Sequence, residues 1–316
     1  MKTYILLLLI AFSACTASHN NINSTNEIPA MPIQVDQPVI ASTLQPQPLT
    51  SLAQSESGGF VLKPGLYETE FKTYCLQPGT PDPKQGDAYL QMPVTGYRKE
   101  IVQSILVNSR DRHDLDQRNI QLLLWNVVSG SSFHSLPWRV QDDAAKLLTS
   151  KQLFELKGGV VGAIKTFSTT TGILNANNDI KQLFESGIHS YEAYERIAVR
   201  REQSKIMKTS VKADQWYKQK ENYYVRYFPE SYQKVKIQVY VPDGVLDSAY
   251  QLNNDYVVFD PTGKQAIPAY TNAQRLGIGS TVLDIVRVII KTKKRSSPTP
   301  PAPAPPPTGP KKPGMS

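Results

Sequence analysis

Two cysteines, four histidines and a scatter of loop acids are the residues of this 316-residue chain whose chemistry could go beyond packing. Cys75 lies in the same stretch as His113, His134 and His189, and a thiol activated by an imidazole is a nucleophile. Its immediate neighbours, Tyr74 and Leu76, favour another role. An alternating run over 67–76 reads as a strand, and an unpaired cysteine within a strand packs as a small apolar side chain. Asp111, His113, Asp114 and Asp116 gather oxygens and an imidazole in one loop. The loop lacks the glycine and distal glutamate of a calcium loop and the histidine spacing of a zinc helix. Acids placed just before a helix cap it and complement its dipole. Gly158, Gly159 and Gly162 precede Lys165, but a phosphate loop needs its last glycine beside the lysine, so this run reads as a hinge or close-packed turn. There is no nucleophile elbow and no H-E-x-x-H helix, and no cofactor or metal is implied. For an enzyme, Cys75, Asp87 and Asp114 are the candidates left.

Six tyrosines, Tyr217, Tyr223, Tyr224, Tyr227, Tyr232 and Tyr240, crowd the region after 216. On an exposed sheet face they would stack on glycan or protein; turned inward they are core. Alternation alone leaves both open.

The first residues address the chain. Lys2 supplies a positive start, and residues 4–12 form an apolar run about half the ~20 residues that span a bilayer, which marks a signal h-region and not an anchor. Phe12-Ser13-Ala14-Cys15 follows at once. This tetrapeptide resembles the lipobox of bacterial lipoproteins, and the resemblance implies that Cys15 is acylated and becomes the mature N-terminus. The alternative is ordinary signal-peptidase cleavage near Ala17. The absence of an early aspartate after Cys15 is similar to lipoproteins of the outer membrane facing the periplasm. If Cys15 were instead retained as a thiol, it could pair with Cys75.

Charge narrows the partners. Of a net +8, the segment from Thr281 onward carries +6, since Arg287, Lys291, Lys293, Lys294, Arg295, Lys311 and Lys312 face only Asp284. The rest of the chain is close to neutral, without the basic stripe a nucleic-acid-binding domain presents, so no nucleic-acid partner is expected. Lys293, Lys294, Arg295, Lys311 and Lys312 are the candidate binding residues. They suit an anionic envelope polymer or a lipid head group.

The elements that must position these groups follow from spacing. Residues 16–59, rich in Ser, Thr, Asn, Gln and Pro, read as a disordered tether. Helices are predicted over 97–108, over 117–128 with Asp116 as N-cap and Gly130 as stop, and over 138–156 with Ser135 as N-cap. Weaker helical patterns cover 179–185 and 191–203. Strands are predicted at 223–228, 235–241 and 256–259, between turns led by Pro229, Pro242 and Pro261. Residues 281–290 fit either class. The tail, 291–316, is basic and proline-rich, with polyproline-like character from Ser296.

The expected fold class is therefore α+β. A helical N-terminal half, with helical hairpin (94–205), precedes a small, mainly antiparallel sheet (220–290), both within a globular region at 60–290. The expected function is that of a lipid-anchored envelope protein, a binding, adaptor or assembly component whose partners are the membrane and other envelope proteins. The alternative is an exported enzyme acting on cell-wall or other envelope material.

Overall fold

A computed structural model describes residues 37–40, 43–96, 98–158, 171–207, 215–245, 256–283 and 288–290. The alternating run becomes the longest strand among the described residues. In order, β1 (Gln47–Pro48), β2 (Gln54–Ser55) and β3 (Phe60–Val61) lead into that strand, β4 (Gly65–Cys75), followed by β5 (Thr80–Pro81) and β6 (Tyr89–Pro93). Helices come next: α1 (Lys99–Asn108), α2 (Gln117–Ser129), α3 (Trp138–Leu147), α4 (Ser150–Leu156), α5 (Thr171–Glu185) and α6 (Tyr191–Ala198). Strands then resume with β7 (Val199–Arg200), β8 (Tyr217–Lys218), β9 (Tyr224–Ser231), β10 (Lys234–Val241), β11 (Val258–Phe259), β12 (Lys264–Pro268), β13 (Leu276–Thr281) and β14 (Ile289–Ile290).

Among the described residues, seven strands form one sheet in the order β6-β12-β13-β4-β10-β9-β8, all antiparallel, and β1 joins β4 in parallel. The sheet curls until its ends nearly meet, where the Tyr227 hydroxyl on β9 donates to Gln91 Oε1 on β6 at 2.6 Å. A second sheet, β11-β3-β2-β14, holds β14 parallel to β2.

This corrects the expected architecture. The helical half does not come first and the sheet is not small: β4 and β6 precede the helices and pair with strands that follow them. The helices are an insertion within one large sheet. Strands β1, β6, β8, β12 and β13 of this sheet escaped prediction, being short and without a long run of large apolar residues at alternate positions. In β13 the reason is close approach. A Cβ on Gly277 would stand 3.0 Å from Leu106 of α1, and one on Gly279 would stand 2.7 Å from the Tyr74 ring. Larger residues that would signal a strand do not fit.

The folded part also starts before Phe60. Leu49 is fully buried and Leu52 nearly so, both in the main core, and β1 and β2 lie within the stretch expected as tether. Helix α2 follows its sequence signals, with Asp116 accepting from the Arg118 N–H at 2.8 Å and Gly130 closing it at φ 68°. The predicted helix over 138–156 is broken instead. Thr149 and Gln152 form a capping box that starts α4 afresh, and the N-cap of α3 is Pro137, not Ser135.

What fastens the insertion to the sheet is a pair of glutamines one helical turn apart. The pairing of β10 with β4 ends at Lys72, which leaves the last residues of β4 without a strand on that side. Gln121, 1 % exposed, accepts from the Cys75 N–H at 2.8 Å and donates to the Cys75 carbonyl at 3.1 Å. Gln117 donates to the carbonyls of Thr73 and Gln233 at 3.2 and 2.9 Å. The side-chain amides thus serve as a substitute strand. A buried backbone group without a partner costs about 1–3 kcal/mol. Gln121→Leu, which keeps the volume and removes both bonds, is expected to lower unfolding free energy by about 2–5 kcal/mol in urea titration. A loss under about 1 kcal/mol would show that the amide is dispensable.

Candidate functional site

A polar cleft opens where the small sheet meets α1. Its lining includes Gln54 from β2, Phe60 from β3, Phe71 from β4, Arg110 just past α1, His113 and Thr262. Arg110 is its central charge. One terminal nitrogen lies 2.9 Å from both oxygens of Asp260, and the other donates to the Ser57 carbonyl. The Arg110 side chain is 12 % exposed and that of Asp260 27 %, so the pair is largely shielded from water. Gly58 makes this possible: at φ 88° it occupies the left-handed region, and a Cβ there would collide with the Arg110 guanidinium.

Two polar atoms in this cleft are buried without a hydrogen-bond partner, Gln54 Oε1 and Arg110 Nε. They offer one acceptor and one donor. The hydroxyls of Thr262 and Thr281 are engaged with the carbonyls of Gly279 and Leu283, at 3.1 and 2.9 Å. The space is ≈ 30 Å³, enough for one or two waters and far below the 300 Å³ at which small-molecule sites begin. As built, the cleft suits hydration or a single inserted polar group.

A second cluster joins α6 to the β9–β10 turn. Tyr232 donates to Glu195 Oε1 at 2.6 Å and lies 2.9 Å from the Tyr191 hydroxyl, and its own N–H donates to Asp82 at 2.9 Å. Trp125 packs against both tyrosine rings, with centroids 5.5 and 6.4 Å away. Arg201 stands 3.9 Å from Asp82 and 3.7 Å from Glu195. Burial raises the Asp82 carboxyl above its usual range, opposed by the N–H it accepts. This is the nearest arrangement to an acid–base set, yet its phenol is 2 % exposed. Its geometry locks the turn to the helix.

No hydrogen bond or ion pair joins the enzyme candidates named from sequence, Cys75, Asp87 and Asp114, to one another. Cys75 is a free thiol with no exposed surface, and burial pushes it up to about 12, against the direction a nucleophile needs. Asp87 is 8 % exposed and closes its own loop, accepting from the Lys84 N–H at 2.9 Å and the Ser204 hydroxyl at 3.1 Å. Asp114 lies on the surface, where a hydrogen bond from Arg112 holds its carboxyl down at about 2. The acidic loop thus spends Asp116 on capping and Asp114 on Arg112. His113 alone reaches the cleft rim. Among the described residues no group of three or more His, Cys, Asp or Glu could hold a metal ion, and no helix is long and apolar enough to cross a membrane. Cys15, the glycines and lysine after Gly158, and the basic tail residues lie outside the described residues.

The tyrosines divide by strand face. Tyr223, Tyr227 and Tyr232 enter the main core, while Tyr224 packs with Leu66 and Trp216 in a smaller cluster on the opposite face of the sheet. Beside it, the Arg226 guanidinium lies 4.4 Å from the Trp216 ring and 4.8 Å from the Phe228 ring. Arg226 donates to Gln238 at 2.8 Å, and Gln238 to Glu68 at 2.7 Å, a polar ladder over three strands. Sequence reasoning missed this ladder and the Arg110–Asp260 pair. Both depend on strand register or on partners 150 residues apart, which no local spacing reveals. Comparison with protein families, curated proteins and solved structures finds no match to this chain.

Burial sets the pH response. The Cys75 thiol and the phenols of Tyr74, Tyr89, Tyr223 and Tyr227 are all raised by it. In the unfolded chain they titrate near their ordinary values, about 8.5 and 10. Above those values the unfolded chain holds fewer protons than the native one, so stability is complete below about pH 8 and falls as pH rises, by up to about 1.4 kcal/mol per pH unit per group. Urea midpoints at pH 8 and 10.5 measure this, with a flat profile contradicting it. Native Cys75 should also resist iodoacetamide until urea is added.

Proposed function

We propose that this chain is an exported envelope lipoprotein, anchored through acylated Cys15, whose domain acts as a binding, adaptor or assembly component. The observation that carries the reading is the order of parts in the sequence. A short apolar leader runs straight into Phe12-Ser13-Ala14-Cys15, and polar, proline-broken sequence separates that cysteine from Leu49, the first fully buried side chain among the described residues. An anchor, a spacer and a domain in that order suit a protein held at a bilayer and standing off it. The sequence after Cys15 favours the outer membrane, facing the periplasm.

The domain's own groups fit a binding role better than the enzyme alternative. The thiol that a nucleophilic mechanism would use is sealed in the core, and Asp87 and Asp114 hold structural partners. The basic tail supplies a second element of contact with an anionic envelope component, through Lys293, Lys294, Arg295, Lys311 and Lys312.

Detergent phase partition of the protein expressed in a bacterial host, with mass spectrometry of its N-terminal peptide, tests this. The wild type is expected in the detergent phase with an acylated Cys15, and Cys15→Ala in the aqueous phase. A protein that keeps Met1 and stays in the cytosol would overturn export; an exported but unacylated one would overturn the anchor alone.

A further inference from the structure

The outer face of the main sheet carries an apolar cluster of its own. Leu66 on β4, Tyr240 on β10 and Tyr224 on β9 stand in register across three central strands, on the face opposite the main core. Trp216, just before β8, packs beside them. Its ring centroid lies 6.3 Å from that of Tyr240, and Tyr240 lies 6.2 Å from Tyr224. Leu66, Trp216 and Tyr224 are 7, 5 and 8 % exposed. Side chains on the outer face of a sheet reach such burial under a cover. Here the cover includes Ile40, which packs against the cluster from the N-terminal stretch.

That cover is lightly attached. Val39, next to Ile40, is 95 % exposed, and Ile40 itself is half-buried. Among the described residues no hydrogen bond or ion pair involves 37–40. Firm attachment starts later, where Gln47 and Pro48 pair with β4 and Leu49 is fully buried. The stretch ahead of Gln47 can therefore leave the sheet without disturbing the main core. Burying one aliphatic side chain in part scarcely exceeds the chain entropy lost by fixing four residues, so the cover opens readily. It leaves behind an apolar recess with aromatic walls, the kind of surface on which short peptide segments are recognised. The resident side chain shows what fits. It is β-branched and aliphatic, carried on an irregular, proline-containing stretch, Gln37-Pro38-Val39-Ile40.

We infer that this recess is a docking site for an aliphatic residue on an irregular segment of a partner protein, and that Ile40 holds the place in cis until such a segment displaces it. This gives the binding role proposed above a place on the domain. It uses neither export nor acylation, so it stands or falls separately from the anchor. Tethered beside the recess, Ile40 competes at high local concentration and keeps the aromatic rings covered when no partner is present. A partner displaces it by adding contacts beyond the one side chain.

Acrylamide quenching of tryptophan emission tests this in the whole chain carrying Trp138→Phe. That change removes the exposed indole, and Trp125 is fully buried, so quenching reports on Trp216. Ile40→Glu, and more mildly Ile40→Ala, is expected to raise quenching, by at least twofold for the glutamate, with the urea midpoint unchanged. A synthetic peptide of residues 37–44, titrated to millimolar concentration, is expected to reverse the rise. The same peptide with glutamate in place of its isoleucine is expected to leave it. The first peptide should bind the Ile40→Glu chain at least threefold more tightly than the chain that keeps Ile40. Unchanged quenching in Ile40→Glu would mean that Ile40 covers nothing, and a lowered urea midpoint in both variants that it is a fixed part of the fold. Either result overturns the inference. So would equal effects of the two peptides, no effect of either, or dimerisation as the chain is concentrated, which would make the occupant the same segment of a second copy.

Discussion

The end of β4 needs hydrogen-bond partners that the sheet does not provide, and the rest of the structure is arranged around that need. Past Lys72 one last backbone bond joins the Thr73 N–H to the Gln233 carbonyl at 2.8 Å, and beyond it the Thr73 carbonyl and both peptide groups of Cys75 meet a helix. A helix presents no backbone to a neighbour, since its own groups are internally bonded. Two glutamines spaced by four residues supply side-chain amides instead. That spacing fixes how α2 lies, and Trp125, four residues beyond Gln121, therefore falls against Tyr191 and Tyr232. Tyr191 opens α6, and α6 ends in β7, which pairs with β5. One polar contact thereby orders the insertion from its second helix to its last.

The same contact explains why Cys75 is unreactive. Its peptide groups are clasped on one side by Gln121 and its register partner on the other is Leu276 of β13. The thiol is left inside a core with no route to water. Other polar groups are used alike. Gln274 donates to the carbonyls of Thr80 and Ala198, Tyr89 to that of Gln274, and Asp87 to none but accepts from its own loop and Ser204. Side chains that read as chemistry in the sequence hold strands and turns together.

Much of this was legible where the cause is local. The cap at Asp116, the stop at Gly130 and the alternation of Val235, Ile237, Val239 and Val241 are set by neighbours in sequence, and each is found. The order of layers was not legible. It depends on β4 pairing with β10 some 160 residues later and on β13 accepting glycines where Leu106 and Tyr74 press. A glycine chosen for close approach carries no periodic signal. Phe154, which a single unbroken helix over 138–156 would turn inward with Val140, Ala144 and Leu147, is 61 % exposed because the helix restarts at Thr149. At the cleft only His113 had been singled out beforehand. Arg110 and Asp260 meet through the fold alone. Both ends of the chain, by contrast, carry their information in composition and order, and their functional reading stays with the sequence.

Native-state hydrogen exchange at the Cys75 amide tests the central contact most directly. If Gln121 completes the sheet there, this amide opens only with global unfolding. Its exchange free energy then equals that of Ile237 at the middle of β10 and matches the value from denaturation. An amide at Cys75 that exchanges several kcal/mol more easily than Ile237 would mean that β4 frays at its end, and that the insertion is held by something else.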